Sequence, residues 1–296
     1  MPALSLAAVP GRRKQTLELA QDIERRGFTG IYCPSFGDGM GLCLALALST
    51  TQIRFGTTIA IIYNRIAADY AQSASMIHEL SGGRFVFGVG VSHGPTHKAL
   101  GHQVGKPLSD MRAFVERVRA TPGVPELPPI ALATLRTKMV QLAGEIGDGM
   151  VWANAARSHM QASLSHLPDE KRNSPDFFVG NMIPTCISDD KAAAAAVMRR
   201  TLTGYAMLPN YSNYWVEAGY GEEMAAVRQA AGDRDRVASV LTDRWLSDVT
   251  LYGSAAEVRE GVEAWYDAGV NTPILVPSSA EGGQMKAFEE LFAAFS

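Results

Sequence analysis

The chain carries no surplus of charge of either sign: 27 Lys and Arg stand against 30 Asp and Glu, a formal net charge of −3 over 296 residues. A balance so near neutral leaves no basic footprint for nucleic acid and no pull toward an anionic membrane surface. Cysteine is scarce. The three thiols, Cys33, Cys43 and Cys186, form no CxxC pair and no even framework, so they read as buried thiols of a reducing compartment. Long apolar runs are missing too. Leu42 to Leu48 and Ala192 to Val197 are far too short to span a bilayer. The N-terminus is apolar before it is basic, the reverse of a secretion signal. The expectation is a cytoplasmic protein with neither a membrane nor a nucleic-acid partner.

What is present is an alternation. Short apolar runs bounded by Gly and Pro read as strands: Leu4–Val9, Thr29–Cys33, Ile53–Tyr63, Arg84–Val91, Ile130–Ala133, Met150–Ala153, Phe177–Ile187 and Asn271–Val276. Stretches with one apolar stripe at helical spacing follow them: Arg12–Arg26, Gly39–Thr50, Ala67–Leu80, Pro107–Ala120, Thr134–Glu145 and Glu281–Phe295. Strands trailed by helices imply parallel pairing through helical crossovers, and eight such units in this length predict an α/β TIM (β/α)8 barrel. Residues 1–296 then form one domain. Asp189 to Gly269 is too long for one crossover and helical in pattern, so a helical insertion of about residues 201–250 is expected between the last two strands. Tyr205, Tyr211, Tyr214, Trp215 and Tyr220 cluster there, as a cover for the barrel mouth, as an aromatic dimer contact or as a small local core. A doubly wound open sheet is the alternative fold, although no GxGxxG follows the first strand.

Barrel chemistry sits at the C-terminal ends of the strands. Those ends are poor in carboxylates: there is no acid pair for glycoside chemistry and no metal-ligand pattern. His93 and His97 stand four apart, but Gly94 and Pro95 between them speak against a helix, and so against a metal site. A mouth short of acid–base groups suits a protein that positions an organic cofactor. The stretch Ser81–Pro95 is the focus. No polar residue interrupts Phe85 to Val91, and Gly88 and Gly90 weaken a strand unless something comes close to its backbone.

Five blocks taken in order are similar to the bacterial luciferase-like flavin and deazaflavin oxidoreductases: IRFGTTI from Ile53, Ala71-Gln72, LSGGRF from Leu80, GVGV from Gly88 and MVQLAGEIGDGM from Met139. The resemblance covers most of residues 1–155 and loosens beyond. It implies a TIM barrel with an inserted segment, a two-electron redox cofactor at the mouth, a homodimer and a small organic substrate. GVGVSH at Gly88–His93 resembles the branch that uses coenzyme F420, a deazaflavin that carries a hydride without activating oxygen. The alternatives are an FMN-dependent monooxygenase on the same barrel and a barrel that binds a flavin or deazaflavin without turnover. An F420 or flavin reductase would supply the reduced cofactor.

The resemblance also implies residue roles. A non-proline cis peptide is expected at Thr58–Ile59, behind the cofactor ring. Gly90, Val91, Ser92 and His93 would line the ring edge, with His93 as the catalytic candidate for proton transfer. Ala133, Thr134, Leu135, Arg136 and Thr137 would open a helix whose N-terminus cradles the cofactor phosphate; the plainer reading of Thr134 is a helix cap. Where related dehydrogenases carry an Asp-His pair, this chain has Ser35 and Phe36. That departure speaks against alcohol oxidation and for reduction of an activated double bond or carbonyl.

Overall fold

The computed structural model describes residues 1–296. Ten strands are present: β1 Ala3–Ser5, β2 Gly30–Pro34, β3 Arg54–Thr58, β4 Ala60–Ile61, β5 Phe85–Gly90, β6 Ile130–Ala133, β7 Gly149–Ala153, β8 Phe178–Ile187, β9 Leu251–Gly253 and β10 Thr272–Ser278. The fold class is the α/β TIM barrel read from the sequence, with β1, β2, β3, β5, β6, β7, β8 and β10 as its eight strands. The chain divides into two compact units, residues 1–151 with 165–180, and residues 152–164 with 181–296.

In the first unit every pairing is parallel. Ile31 stands opposite both Leu4 and Phe55, Phe55 opposite Phe85, Phe87 opposite Ile130, and Ala131 opposite Gly149. The Gly and Pro punctuation placed these strands to within a few residues, because turns are coded locally. The expected strand Ile53–Tyr63 is two pieces, β3 and β4, broken at Ile59. The helix Ala67–Leu80 has the predicted bounds and buries Tyr70, Ala71, Ala74, Ser75 and Ile77. The helix Pro107–Arg119 starts on a proline, whose missing N–H costs nothing there, and buries Met111, Phe114, Val115 and Val118.

One expectation in this unit is overturned. Gly94–Leu100 is a helix despite Pro95, because a proline in the first turn is compatible with one, and Gly101 closes it at φ 68°. The argument against a metal site at His93 and His97, which rested on the absence of that helix, falls with it.

The SGGRF block serves this unit as a clamp. Gly82 and Gly83 take positive φ, 63° and 84°, turning the chain out of the helix Ala67–Leu80. Arg84 then donates to the carbonyls of Ala47, Thr50, Ile53 and Ser81 and to Thr50 Oγ1, at 2.8–3.1 Å. Glu24 holds the same loop from the other side, accepting from the N–H groups of Thr51, Gln52 and Ile53. Burial alone raises its pKa, but those backbone donors and the Arg84 charge outweigh it and hold the carboxyl below its ordinary value.

In the second unit β8 pairs in parallel with β9, Thr185 opposite Leu251, and also with β10. β9 is too short to be marked by periodicity and was not expected. The helices Lys191–Ala206, Pro209–Glu217, Gly221–Ala230, Arg234–Val240 and Asp243–Val249 account for the helical stretch. Its aromatic cluster packs as a local core. Tyr211, Tyr214, Trp215 and Tyr220 are buried, and the Trp215 and Trp245 rings meet edge-on at 4.8 Å. The next helix, Ala255–Asp267, opens with a full capping box of Ser254 and Glu257. No helix of the chain is long and apolar enough to cross a membrane.

Candidate functional site

The sequence-derived site residues all fall in the first unit, at or just beyond the ends of β3, β5 and β6. The Thr58–Ile59 peptide bond is cis, the geometry the resemblance implied. Ile59 and Gly90 are neighbours. A β-carbon on Gly90 would lie 2.2 Å from Ile59 Cδ1 and 2.8 Å from Ala133 Cβ, and one on Gly88 would lie 1.9 Å from the Thr57 carbonyl oxygen. Gly88 and Gly90 were expected to let something come close to the backbone. Their side-chain side is filled by β3 and by the side chains of Ile59 and Ala133. What comes close to this backbone is the protein itself.

Ser92 leaves β5 in the left-handed region, φ 63°, one of two non-glycine residues to do so. Such backbone costs of order 1 kcal/mol and clusters at functional sites. It turns the chain so that His93 precedes the helix Gly94–Leu100, with His93 Nδ1 3.3 Å from Thr96 Oγ1. Burial holds the His93 pKa below its ordinary value of 6.5, so the ring is neutral at pH 7. The segment after it is anchored by two residues that sequence reasoning passed over. Tyr63 Oη donates to Asp110 Oδ2 at 2.7 Å, and the Gly105 N–H donates to the same oxygen at 2.8 Å. The Tyr63 ring also meets His97 edge-on, with centroids 5.4 Å apart. Only the fold brings Tyr63 and Asp110 together, 47 residues apart in the chain.

At the end of β6 the Thr134 N–H donates to the Val151 carbonyl at 2.9 Å. The helix begins later than expected, at Thr137, and its N-cap is Arg136, whose side chain makes no cap bond. Thr134 is therefore not the cap. Its hydroxyl is buried without a partner, and so is that of Thr58. Thr134 and Thr58 are only 3% and 6% exposed. Buried polar groups are nearly always paired, so two orphaned hydroxyls at the ends of β3 and β6 are what a polar ligand would complete. The helix start beyond Thr134, with no acidic residue in its first turn, suits an anion. A cleft of about 260 Å³ reaches Ile59, Thr57, Ser35 and Asn64. A larger one, about 690 Å³, runs along Tyr63, Asp110 and Phe114 and touches neither His93 nor Thr134.

This donor set fits an organic cofactor bearing a phosphate: hydroxyls, a helix N-terminus and one neutral imidazole, without metal ligands. The luciferase-like monooxygenase family model matches residues 3–272, and the chain belongs to that family. Among its relatives is a Mycobacterium tuberculosis protein bearing the provisional name of a coenzyme F420-dependent oxidoreductase. It is 27% identical, over 89% of this chain and 91% of its own. The F420-dependent tetrahydromethanopterin reductase of Methanopyrus kandleri shares the fold at TM-score 0.78 and 16% identity, covering 98% of this chain and 97% of its own. An F420-dependent secondary alcohol dehydrogenase, solved with an F420–acetone adduct, does so at TM-score 0.73 and 16% identity, covering 99% and 98%.

Proposed function

We propose that this chain is a coenzyme F420-dependent oxidoreductase that passes a hydride to a small organic substrate, reducing an activated double bond or carbonyl. The observation that carries the reading is the pair of buried, unpartnered hydroxyls, Thr58 and Thr134, in the unit that also holds His93 and the uncapped helix Thr137–Ile146. The relatives' F420 chemistry supports the choice of cofactor. When bound, the deazaflavin supplies the hydride. The chain's part is to hold and orient it: Thr58 and Thr134 would donate to it, Ile59 would stand behind it, and the first N–H groups of the helix from Thr137 would hold its phosphate. The Ser35-Phe36 departure favours reduction, since no base stands there to take a proton from an alcohol.

Titration of the purified protein with F420 and, separately, FMN tests this through tryptophan fluorescence. F420 binding in the micromolar range or tighter, with FMN weaker, is the expected result. Preference for FMN, with oxygen consumed, would move the chain to the monooxygenase reading and sink this one. Thr134→Val and Thr58→Val are each expected to weaken F420 binding about tenfold, one hydrogen bond's worth of affinity. Neither should lower the unfolding free energy of the free protein, because neither hydroxyl has a partner to lose.

The His93 pKa sets the pH dependence. Its imidazolium becomes the major form only at a pH below 6.5. If His93 delivers the proton, single-turnover reduction accelerates as pH falls through that range, and His93→Gln removes the acid limb. A profile identical in the two proteins would remove His93 from the reaction.

A further inference from the structure

Cys33 and Cys43 take no part in the reading above, and the fold of the first unit sets them against one another. Cys33 lies one residue before the end of β2, and Cys43 lies in the helix Gly39–Ser49 that follows. Their sulfurs stand 3.8 Å apart, with the Cys43 thiol donating toward Cys33 Sγ. The two residues are 1% and 0% exposed. Cys186 is buried too, but belongs to the second unit. Only the short loop of residues 35–38 separates β2 from the helix. All four of its residues are exposed, and Gly37 turns it at φ 71°. The loop, the helix start and β3 meet beside the thiols. Cys33 stands opposite Thr57, and a β-carbon on Gly39 would lie 3.7 Å from Thr57 Cγ2 and 3.9 Å from Cys33 Cβ. Ser35, Gly37, Gly39 and Met40 from this corner line the cleft of about 260 Å³, together with Thr57 and Ile59.

We infer that Cys33 and Cys43 are a modification site: a hydroperoxide converts them to an intrachain disulfide, and the disulfide narrows the cleft beside them. Cys33, next to the exposed loop, meets the oxidant. Its sulfur attacks one peroxide oxygen, the O–O bond breaks, and an alcohol leaves carrying the thiol proton. The Cys43 sulfur then attacks the Cys33 sulfenic acid; the S–S bond forms, and the second thiol proton leaves in water. Two thiols are oxidised to one disulfide, and one hydroperoxide is reduced to an alcohol and water. Burial first, and then the neighbouring Cys33, push the Cys43 thiol well above its ordinary pKa, which suits it to the second step rather than the first. A covalent S–S bond is much shorter than the 3.8 Å that separates the two sulfurs. Forming it draws the start of the helix toward β2, and Gly39 and Met40 of the cleft wall with it. The consequence for F420 rests on the cofactor reading above.

The test treats the purified protein with hydrogen peroxide and counts its thiols after denaturation. The count is expected to fall from three to one, with peptide mapping joining Cys33 to Cys43. F420 affinity falls about tenfold in step, an ordinary size for coupling between two sites, and dithiothreitol restores both. That reversal separates the disulfide from oxidation of Met40 in the cleft wall, because a methionine sulfoxide needs its own reductase. Cys43→Ala forms no disulfide and shows no loss of affinity that dithiothreitol reverses. Cys33→Ala takes its place if circular dichroism shows the first variant to be misfolded. Three thiols still present after peroxide, a disulfide that includes Cys186, or an F420 affinity unchanged once Cys33 and Cys43 are joined overturns the assignment and leaves the cofactor reading intact. A reduced protein that binds no F420 removes the cofactor reading and the consequence for the cleft, while the thiol count still decides the disulfide.

Discussion

Gly88→Ala is expected to abolish the stable fold, or to lower the unfolding free energy by more than about 3 kcal/mol. The added β-carbon would stand 1.9 Å from the Thr57 carbonyl oxygen and 3.0 Å from its carbon. Overpacking a core with one methyl ordinarily costs about 1–3 kcal/mol, because side chains shift rotamers to make room. Here the obstacle is backbone, and that backbone is pinned: Thr57 Oγ1 donates to the Gly88 carbonyl at 2.7 Å, and Thr57 stands opposite Cys33 in β2. Relief would require β3 and β5 to separate, breaking the Phe55–Phe85 and Gly56–Val86 register. Urea denaturation followed by circular dichroism measures the effect. Gly94→Ala is the control, since a β-carbon there would meet nothing within 4 Å and the residue is exposed. A Gly88→Ala protein within about 1 kcal/mol of wild type would show that the strands are not packed as described.

Arg84→Ala is the second large effect expected, a loss of about 3–4 kcal/mol of stability. The guanidinium serves four carbonyls from three stretches of chain, Ala47 with Thr50, Ile53 and Ser81, and lies over the Phe55 ring at 5.2 Å from its centroid. Truncation strips those acceptors of a charged donor and leaves them part-buried. Arg84→Lys should recover little, because an ammonium has three donors on a point charge where the site uses a planar fork. Thermal or urea unfolding of both variants measures this. Because the clamp sits at the strand starts, far along β5 from Ser92, F420 affinity of the folded fraction should be unchanged. A stability loss under about 1 kcal/mol would mean that water replaces the guanidinium.

Much of the fold is written locally. Gly and Pro end the strands where they end, the apolar stripe of Ala67–Leu80 is a helix with those bounds, and Leu80-Ser-Gly-Gly-Arg-Phe marks a helix exit turning into β5. The blocks that mark the family also lie mostly on such local structure, which is why the class of protein could be named before any contact was known. The helix Gly94–Leu100 was missed because Pro95 was weighed as a breaker rather than as a first-turn residue, and β9 because three residues carry no period.

The candidate site was legible only as a set of addresses. Sequence pointed to Thr58, Ser92, His93 and Thr134, but the plain reading of Thr134 was a cap, and no local pattern says that its hydroxyl has no partner. Gly88 and Gly90 advertised a close approach without naming the neighbour; Thr57, Ile59 and Ala133 are supplied by other strands. Tyr63 and Asp110 are ordinary residues in the sequence and become an anchor only by juxtaposition. Turn chemistry and hydrophobic period act between neighbours in the chain, so the sequence by itself determined most of the strands and helices and the barrel class. Which polar groups are paired and which are left for a ligand depends on contacts across tens of residues, and only the tertiary structure decided that.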